Sequence, residues 1–255
     1  MLTKRVIINS KDRNNDLSRS SSDFVVNLDD SYNLQNVDRV TVESITVSNL
    51  VYNVNSLTDQ IRFTEGAGPI ITRTVPIGQY NITDFMTAVE TALNSIGSNT
   101  FAVSQNSVTK KIEIVNPNIS FFILGDSSIN KLLGLPNTQN SVSVFDGITN
   151  ILICDYTPDL GGTDILYVHS KALAEYNSIT SSRGSSSIVS YISFHETPFG
   201  GTSTRYINDS EMEMVNYTNP RNISTCDIKI RDASGNIPDL QNSNVVLILK
   251  AYLNE

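Results

Sequence analysis

Tryptophan is absent from this chain, cysteine and histidine occur twice each, and charged side chains make up only 17% of its 255 residues. Each scarcity removes a class of function. Cys154 and Cys226 share no CxxC spacing, which argues against a disulfide framework and a structural zinc site and leaves two buried free thiols as the expectation. His169 and His195 stand in no HxH or HExxH arrangement, and no GxSxG, GxxxxGK or GxGxxG occurs. Hydrolase, metalloenzyme and nucleotide-binding readings lose their anchors, so no catalytic, cofactor-binding or metal residue is assigned and the chain is not read as an enzyme. Asp209, Glu211 and Glu213 do cluster, but Glu211 and Glu213 share one face of a strand opposite Met212 and Met214, the pattern of a solvated polar face. Lys and Arg number 18 against 26 Asp and Glu, a net charge of -8, and that field repels nucleic acid. No apolar run is long enough to span a bilayer, and MLTKRVIINSKD lacks the apolar stretch of a secretory signal. A soluble protein made in a cytoplasm-like compartment is expected. The sequons at Asn81, Asn118, Asn216 and Asn222 are what chance supplies in a chain this rich in Asn, Ser and Thr.

What is present is the grammar of β structure: short Val- and Ile-rich runs separated by Asn, Ser, Thr and Gly. Residues 1–22 open with Val6-Ile7-Ile8 and then lose periodicity, so they read as an N-terminal arm that orders against something else. Phe24 to Leu28 begins the first strand. In RVTVESITVSNL the apolar positions Val40 and Val42 give way to Ile45 and Val47, a change of phase that predicts a bulge or bend at Glu43-Ser44. Ile61 to Thr64 and Ile70 to Val75 give two more strands around the Gly66–Pro69 break.

From Pro76 the pattern changes. Ile82, Phe85, Met86, Val89, Leu93 and Ile96 recur at helical spacing, with Asn81 or Thr83 to cap the start and Gly97 to end it. Strands in FAVSQ, KKIEIV and SFFIL follow, then a helical turn at Ile129, Leu132, Leu133 and Leu135. Residues 76–140 therefore read as an α+β insertion domain in a protein whose remainder, 23–75 and 141–255, is β. ITNILICDY, DILYVHS, SIVSYISF, EMEMVNY, CDIKIRD and NVVLILKAYL resume the strands, and the last, apolar on both parities, predicts an interior strand. Asp232 to Asn236 reads as a turn joining neighbouring antiparallel strands. About eight to ten strands lie outside the insertion, the number a single jelly-roll β-sandwich needs.

The order of segments carries a resemblance. INSKDRN with Asp12-Arg13 ahead of Asp23-Phe24, the bent VDRVTVESITVSN strand, Ile77-Gly78-Gln79-Tyr80 leading into a helix, Leu132-Leu133-Gly134, and Asp232 through Gly235 to Asp239-Leu240 form a series spread over nearly the whole chain. It resembles the penton proteins of virophages, Polinton-like viruses and related giant DNA viruses. The resemblance implies a capsid protein of the virion: a single jelly roll, a homopentamer closing each vertex of an icosahedral double-stranded DNA virus, and an insertion on the outer side. It implies contacts with the double jelly-roll major capsid protein and with minor capsid proteins, no cofactor, and synthesis in the host cytoplasm or virus factory. The arm is basic within an acidic chain, and its Lys4, Arg5, Lys11, Asp12, Arg13 and Arg19 are the expected interface residues.

Two other readings stay open on sequence. One is a minor capsid or cement protein of the same virus class, since such proteins share the arm signature. The other is a jelly-roll receptor- or carbohydrate-binding module, which needs an exposed aromatic platform from Tyr80, Tyr176, Tyr191, Tyr206 or Tyr217.

Overall fold

The first and last strands of the chain pair along their whole length, and the rest of the sandwich is built around that pair. The computed structural model describes residues 2–28, 34–95, 100–174, 178–180, 184–206 and 214–254. β1 (Leu2–Asn9), a 3₁₀ turn (Ser10–Asp12), β2 (Asp23–Asn27) and β3 (Val37–Ser48) come first. β4 (Gln60–Glu65), β5 (Ile71–Thr74), α1 (Ile82–Leu93), β6 (Ala102–Gln105), β7 (Ile112–Asn116) and β8 (Phe121–Ile123) follow. Then come α2 (Asn130–Leu133), β9 (Ser141–Val142), β10 (Val144–Phe145) and β11 (Asn150–Ile153). The chain ends with β12 (Ile165–His169), β13 (Ser178–Thr180), β14 (Gly184–Ser186), β15 (Ile188–Ser193), β16 (Thr202–Tyr206), β17 (Met214–Arg221), β18 (Thr225–Arg231) and β19 (Val245–Leu253). Two compact units result: Met1–Val51 with Thr163–Glu255, and Tyr52–Gly162.

The first unit is a jelly roll. One sheet has the order β1-β19-β3-β16, with β17 also on β3, and the other has the order β15-β12-β18-β2. With β16 and β17 together taken as the sixth of eight strands and the β13-β14 hairpin set aside, the orders are 1-8-3-6 and 5-4-7-2. Two Greek keys folded over one another generate that arrangement. Inward side chains of both sheets, among them Val6, Ile8, Phe24, Val42, Ile45, Leu166, Ile228 and Leu247, form one core. β19 lies between β1 and β3, as an apolar run on both parities requires. Ser44 pairs with Ile248 and Val42 with Leu249, so Glu43 is the extra residue of a bulge and both halves of β3 keep their apolar side chains in the core.

Three expectations are corrected here. Residues 1–22 are not an arm: Leu2–Asn9 pair with β19 in unbroken register from Leu2↔Leu253 to Asn9↔Val246. An end strand of an antiparallel sheet needs only one apolar face, so Val6 and Ile8 suffice; the exposed Ile7 between them breaks the alternation, and the polar Thr3, Lys4, Arg5 and Asn9 around the trio conceal the strand. The residues after it run along the other sheet, where Asn14 N–H donates to Val25 O at 2.8 Å, Arg19 N–H to Asp23 O at 2.9 Å, and Ser18 Oγ accepts from Val25 N–H at 3.1 Å. This segment occupies backbone groups at the edge of β2 that would otherwise be open to pairing. Second, Asp232–Asn236 does form a turn, with Gly235 at φ 87° and Asn236 N–H donating to Asp232 Oδ1 at 2.8 Å. It joins β18 to β19, which belong to different sheets, so the chain crosses the sandwich there.

Third, the insertion is wider than 76–140. β4 and β5 belong to its sheet β5-β4-β8-β9, and β11 to its sheet β10-β11-β7-β6. Asn53 explains the boundary: its buried amide donates to Tyr80 O at 2.8 Å and Leu160 O at 3.2 Å and accepts from Tyr80 N–H at 3.0 Å, tying both ends of the unit to the lead-in of its helix. Helix α1 starts at Asn81, whose side chain accepts from Asp84 N–H at 3.0 Å. The expected members Ile96 and Gly97 lie outside the described residues. Phe85, Val89 and Leu93 face a core in which Phe101 meets Phe63 and Phe121 edge to face, with centroids at 5.6 and 5.1 Å. Cys154 and Cys226 are free and buried in separate cores, and burial first, then the adjacent Asp155 or Asp227, pushes each thiol up to about 12.

Helix α2 ends at Gly134, φ 81°, against the backbone of Tyr156, where an added Cβ would lie 2.2 Å from the Tyr156 carbonyl oxygen. Gly147, φ 102°, has nothing within 4 Å of the same position. Gly147→Ala is expected to cost about 1 kcal/mol from its backbone conformation alone. Gly134→Ala should cost about 2–5 kcal/mol, because the clash adds to it. Urea denaturation of both variants checks the order.

Candidate assembly surfaces

The outward face of the first sheet is divided: the rows through Arg5 and Lys250 and through Tyr252 and Arg39 carry charge, and the rows beyond them do not. Across strands, Ile7, Ile248, Ser44 and Tyr206 stand in one row, and Asn9, Val246, Thr46 and Thr204 in the next. Ile7 is 60% exposed and Tyr206 79%. Thr46 and Thr204 hydroxyls lie 3.1 Å apart, and Ser48 and Thr202 3.3 Å. Such a face can be covered by another protein without removing many ions from water.

The six basic-arm residues do not gather into one patch. Lys4 and Arg5 lie mid-strand on β1; Arg5 grips Glu43, with Nε donating to Oε2 at 2.7 Å and the terminal nitrogen to Oε1 at 2.6 Å. Glu43 was not singled out by sequence, though the phase change that marks its bulge was a readable signal. Lys11 and Asp12 are exposed in the 3₁₀ turn, which Asn9 caps by accepting from Lys11 N–H at 3.0 Å. Arg13 donates to Ser10 O at 3.0 Å, and Arg19 sits exposed in the segment beside β2.

The second sheet faces outward with more charge. Asp23, Lys229 and His169 form one cross-strand row, Lys229 Nζ lying 3.5 Å from Asp23 Oδ1. Arg231, Tyr167 and Tyr191 form the next. Asp227 on the same face holds the following loop, accepting from Ser170 Oγ at 3.0 Å and Ala172 N–H at 2.7 Å. Of the five tyrosines considered for a sugar platform, Tyr191 has the Arg205 guanidinium 3.5 Å over its ring. Tyr217 is buried with its hydroxyl on Leu173 O at 2.9 Å, and Tyr80 packs edge-on against Phe85. Tyr176 lies outside the described residues. Among the described residues of the five, Tyr206 is left with an open ring, and Tyr191, also exposed, has its face taken by Arg205.

Neither histidine is built into a reactive constellation among the described residues, where no group of three or more metal-ligating side chains occurs. His195 is exposed; His169 is half-buried, with Nδ1 3.2 Å from Ser187 Oγ. The carboxylates Asp209, Glu211 and Glu213 lie outside the described residues, and no described helix is long and apolar enough to cross a membrane. Burial, and secondarily Arg231, lowers the His169 pKa below 6.5. Because the unfolded chain then takes up the proton more readily, the stability His169 contributes is present above pH 6.5 and is lost as pH falls through its folded value. His169→Asn should therefore narrow the loss of thermal stability between pH 7.5 and pH 5, measured against the parent chain; an unchanged difference would contradict this account.

No family model matches the chain, and no curated protein does. Among solved structures, the crystal structure of the selenomethionine-labelled mavirus penton protein is similar over 98% of this chain and 99% of that one. The TM-score is 0.50 and the sequence identity 13%. The fold of this chain is thus penton-like: a mainly β protein whose jelly roll carries an inserted α+β unit between its third and fourth strands.

Proposed function

We propose that this chain is the vertex protein of an icosahedral double-stranded DNA virus of the virophage and giant-virus kind, five copies closing each five-fold position of the capsid. The observation that carries the reading is the full-length likeness to a penton protein, insertion included, rather than to a jelly roll alone. The uncharged rows of the first sheet's outer face, from Ile7 to Tyr206 and from Asn9 to Thr204, support it, since a closed ring of identical subunits buries one pair of complementary patches on every copy. In this reading the Tyr52–Gly162 unit faces outward. The 3₁₀ turn and the segment after it, with Lys11, Asp12, Arg13 and Arg19, meet the neighbouring major and minor capsid proteins, and the protein resides in the virion after synthesis in the host cytoplasm or virus factory.

Native mass measurement tests the ring. In the presence of its major capsid protein the chain should form a species of five times its 28.0 kDa mass. Ile7→Asp, at an exposed site on the outer face of the end strand β1, should leave the fold intact by circular dichroism and remove the pentamer. A chain that stays monomeric under both conditions, yet binds the capsid protein, would move the reading to a minor capsid or cement role.

A further inference from the structure

The insertion unit carries an apolar surface that its own core does not use. In the sheet β10-β11-β7-β6 the inward row of Leu152, Ile114 and Val103 packs on the core, as it should. The outward row of Val144, Ile151, Val115 and Ala102 is apolar as well, across all four strands. The companion sheet β5-β4-β8-β9 is polar at one end of its outward face, where Arg62 stands beside Thr72 and Gln60 beside Thr74, and turns apolar toward β9, where Phe122 stands beside Val142. An antiparallel sheet with one face on a core and the other in water alternates apolar and polar residues; the neighbouring outward row of Ile153, Glu113 and Ser104 turns polar toward β6, whereas the row from Val144 to Ala102 stays apolar throughout.

The apolar row opens into a groove of about 460 Å³ where β9 and β10 diverge into different sheets on either side of Ser143. Val142 is 61% exposed there, Val144 70% and Ile153 55%. Two carboxylates, Asp146 and Asp155, line the groove with them, and among the described residues no Lys or Arg does. Asp146 is held in the hairpin turn by accepting from Thr149 N–H at 2.7 Å and Ile148 N–H at 2.8 Å, which keeps it ionised. Concavity, apolar lining and one sign of charge together define an occupant: apolar side chains on one face, with cations beside them.

The geometry points to a docking groove on the insertion unit, between Val142, Val144, Ile151 and Ile153, for an extended segment of another protein that presents alternating apolar side chains flanked by Lys or Arg. Extended chain suits the site because it places every second side chain on one face, and β10 stands at the end of its sheet where a further strand can be added. The proposal does not depend on the vertex reading, since the groove lies within one unit of one chain.

The probe is a capped synthetic peptide, Lys-Thr-Val-Thr-Val-Thr-Lys, titrated into the isotope-labelled full-length chain and followed by amide chemical shifts. Saturable shifts concentrated in residues 141–155 are expected. The same peptide with Glu in place of both Lys should bind about fivefold more weakly or less, and Asp155→Asn should weaken the Lys peptide by up to about fivefold. Ile153→Lys, at an exposed position, should remove binding without lowering the melting temperature. Absence of saturable shifts, equal affinity for the Lys and Glu peptides, or unchanged binding by Ile153→Lys would overturn the proposal. Shifts in this segment that grow with protein concentration alone would assign the face to a second copy of the chain and overturn it equally.

Discussion

The ladder that holds β19 between β1 and β3 is the constraint on which the rest of the molecule depends. It joins residues from the two ends of the chain in eight consecutive pairs on one side, and on the other it accommodates the Glu43 bulge that lets β3 serve the core with both of its phases. Contacts this distant in sequence carry a closure cost before they stabilise anything, and topologies dominated by them fold slowly. The design of the edges follows. The residues between β1 and β2 run beside β2 and use its outward backbone groups, whereas β1 ends its sheet with Arg5 bonded across the face to Glu43. One edge is covered from within the chain, and the face next to the other is left for contact.

The sequence made some of this visible and concealed the rest for identifiable reasons. The β3 bulge and the interior position of β19 were legible because burial writes itself into apolar parity, and helix α1 because its stripe and its Asn81 cap coincide. β1 was not legible, since its two buried apolar residues, Val6 and Ile8, flank an exposed Ile7 that breaks the alternation, and Thr3, Lys4, Arg5 and Asn9 around them are polar. The sheet membership of β18 and β19 was not legible either: the Asp232–Asn236 turn has the same local chemistry whether it closes a hairpin or crosses a sandwich. The extent of the insertion was set by Asn53, a single buried amide whose partners at Tyr80 and Leu160 are remote in sequence. Of the expected interface residues, the sequence gathered six by charge, and the fold distributes them over a strand, a turn and an edge-covering segment. The outward apolar row on β10 and β11 left a trace in ILIC, apolar on both parities, which read as one more strand of the jelly roll.

Charge economy connects the fold to the proposed role. A chain with few ions, a net charge of -8 and, on its first sheet, outward rows lined by Thr, Ser, Ile and Tyr can be enclosed there by neighbours at a modest desolvation cost. Two ion pairs on the sandwich are already formed, Arg5 with Glu43 and Lys229 with Asp23. The exposed cations of the turn and the segment beside β2 then contribute to orientation more than to affinity, as charges at the rim of an interface do.

Imaging the particle assembled from this chain and its major capsid protein tests the central claim most directly. Density fitting the jelly roll and its inserted unit at the five-fold positions, in five copies, is the predicted result. Density between capsomers or beneath the facets, with the vertices filled by another protein, would contradict it.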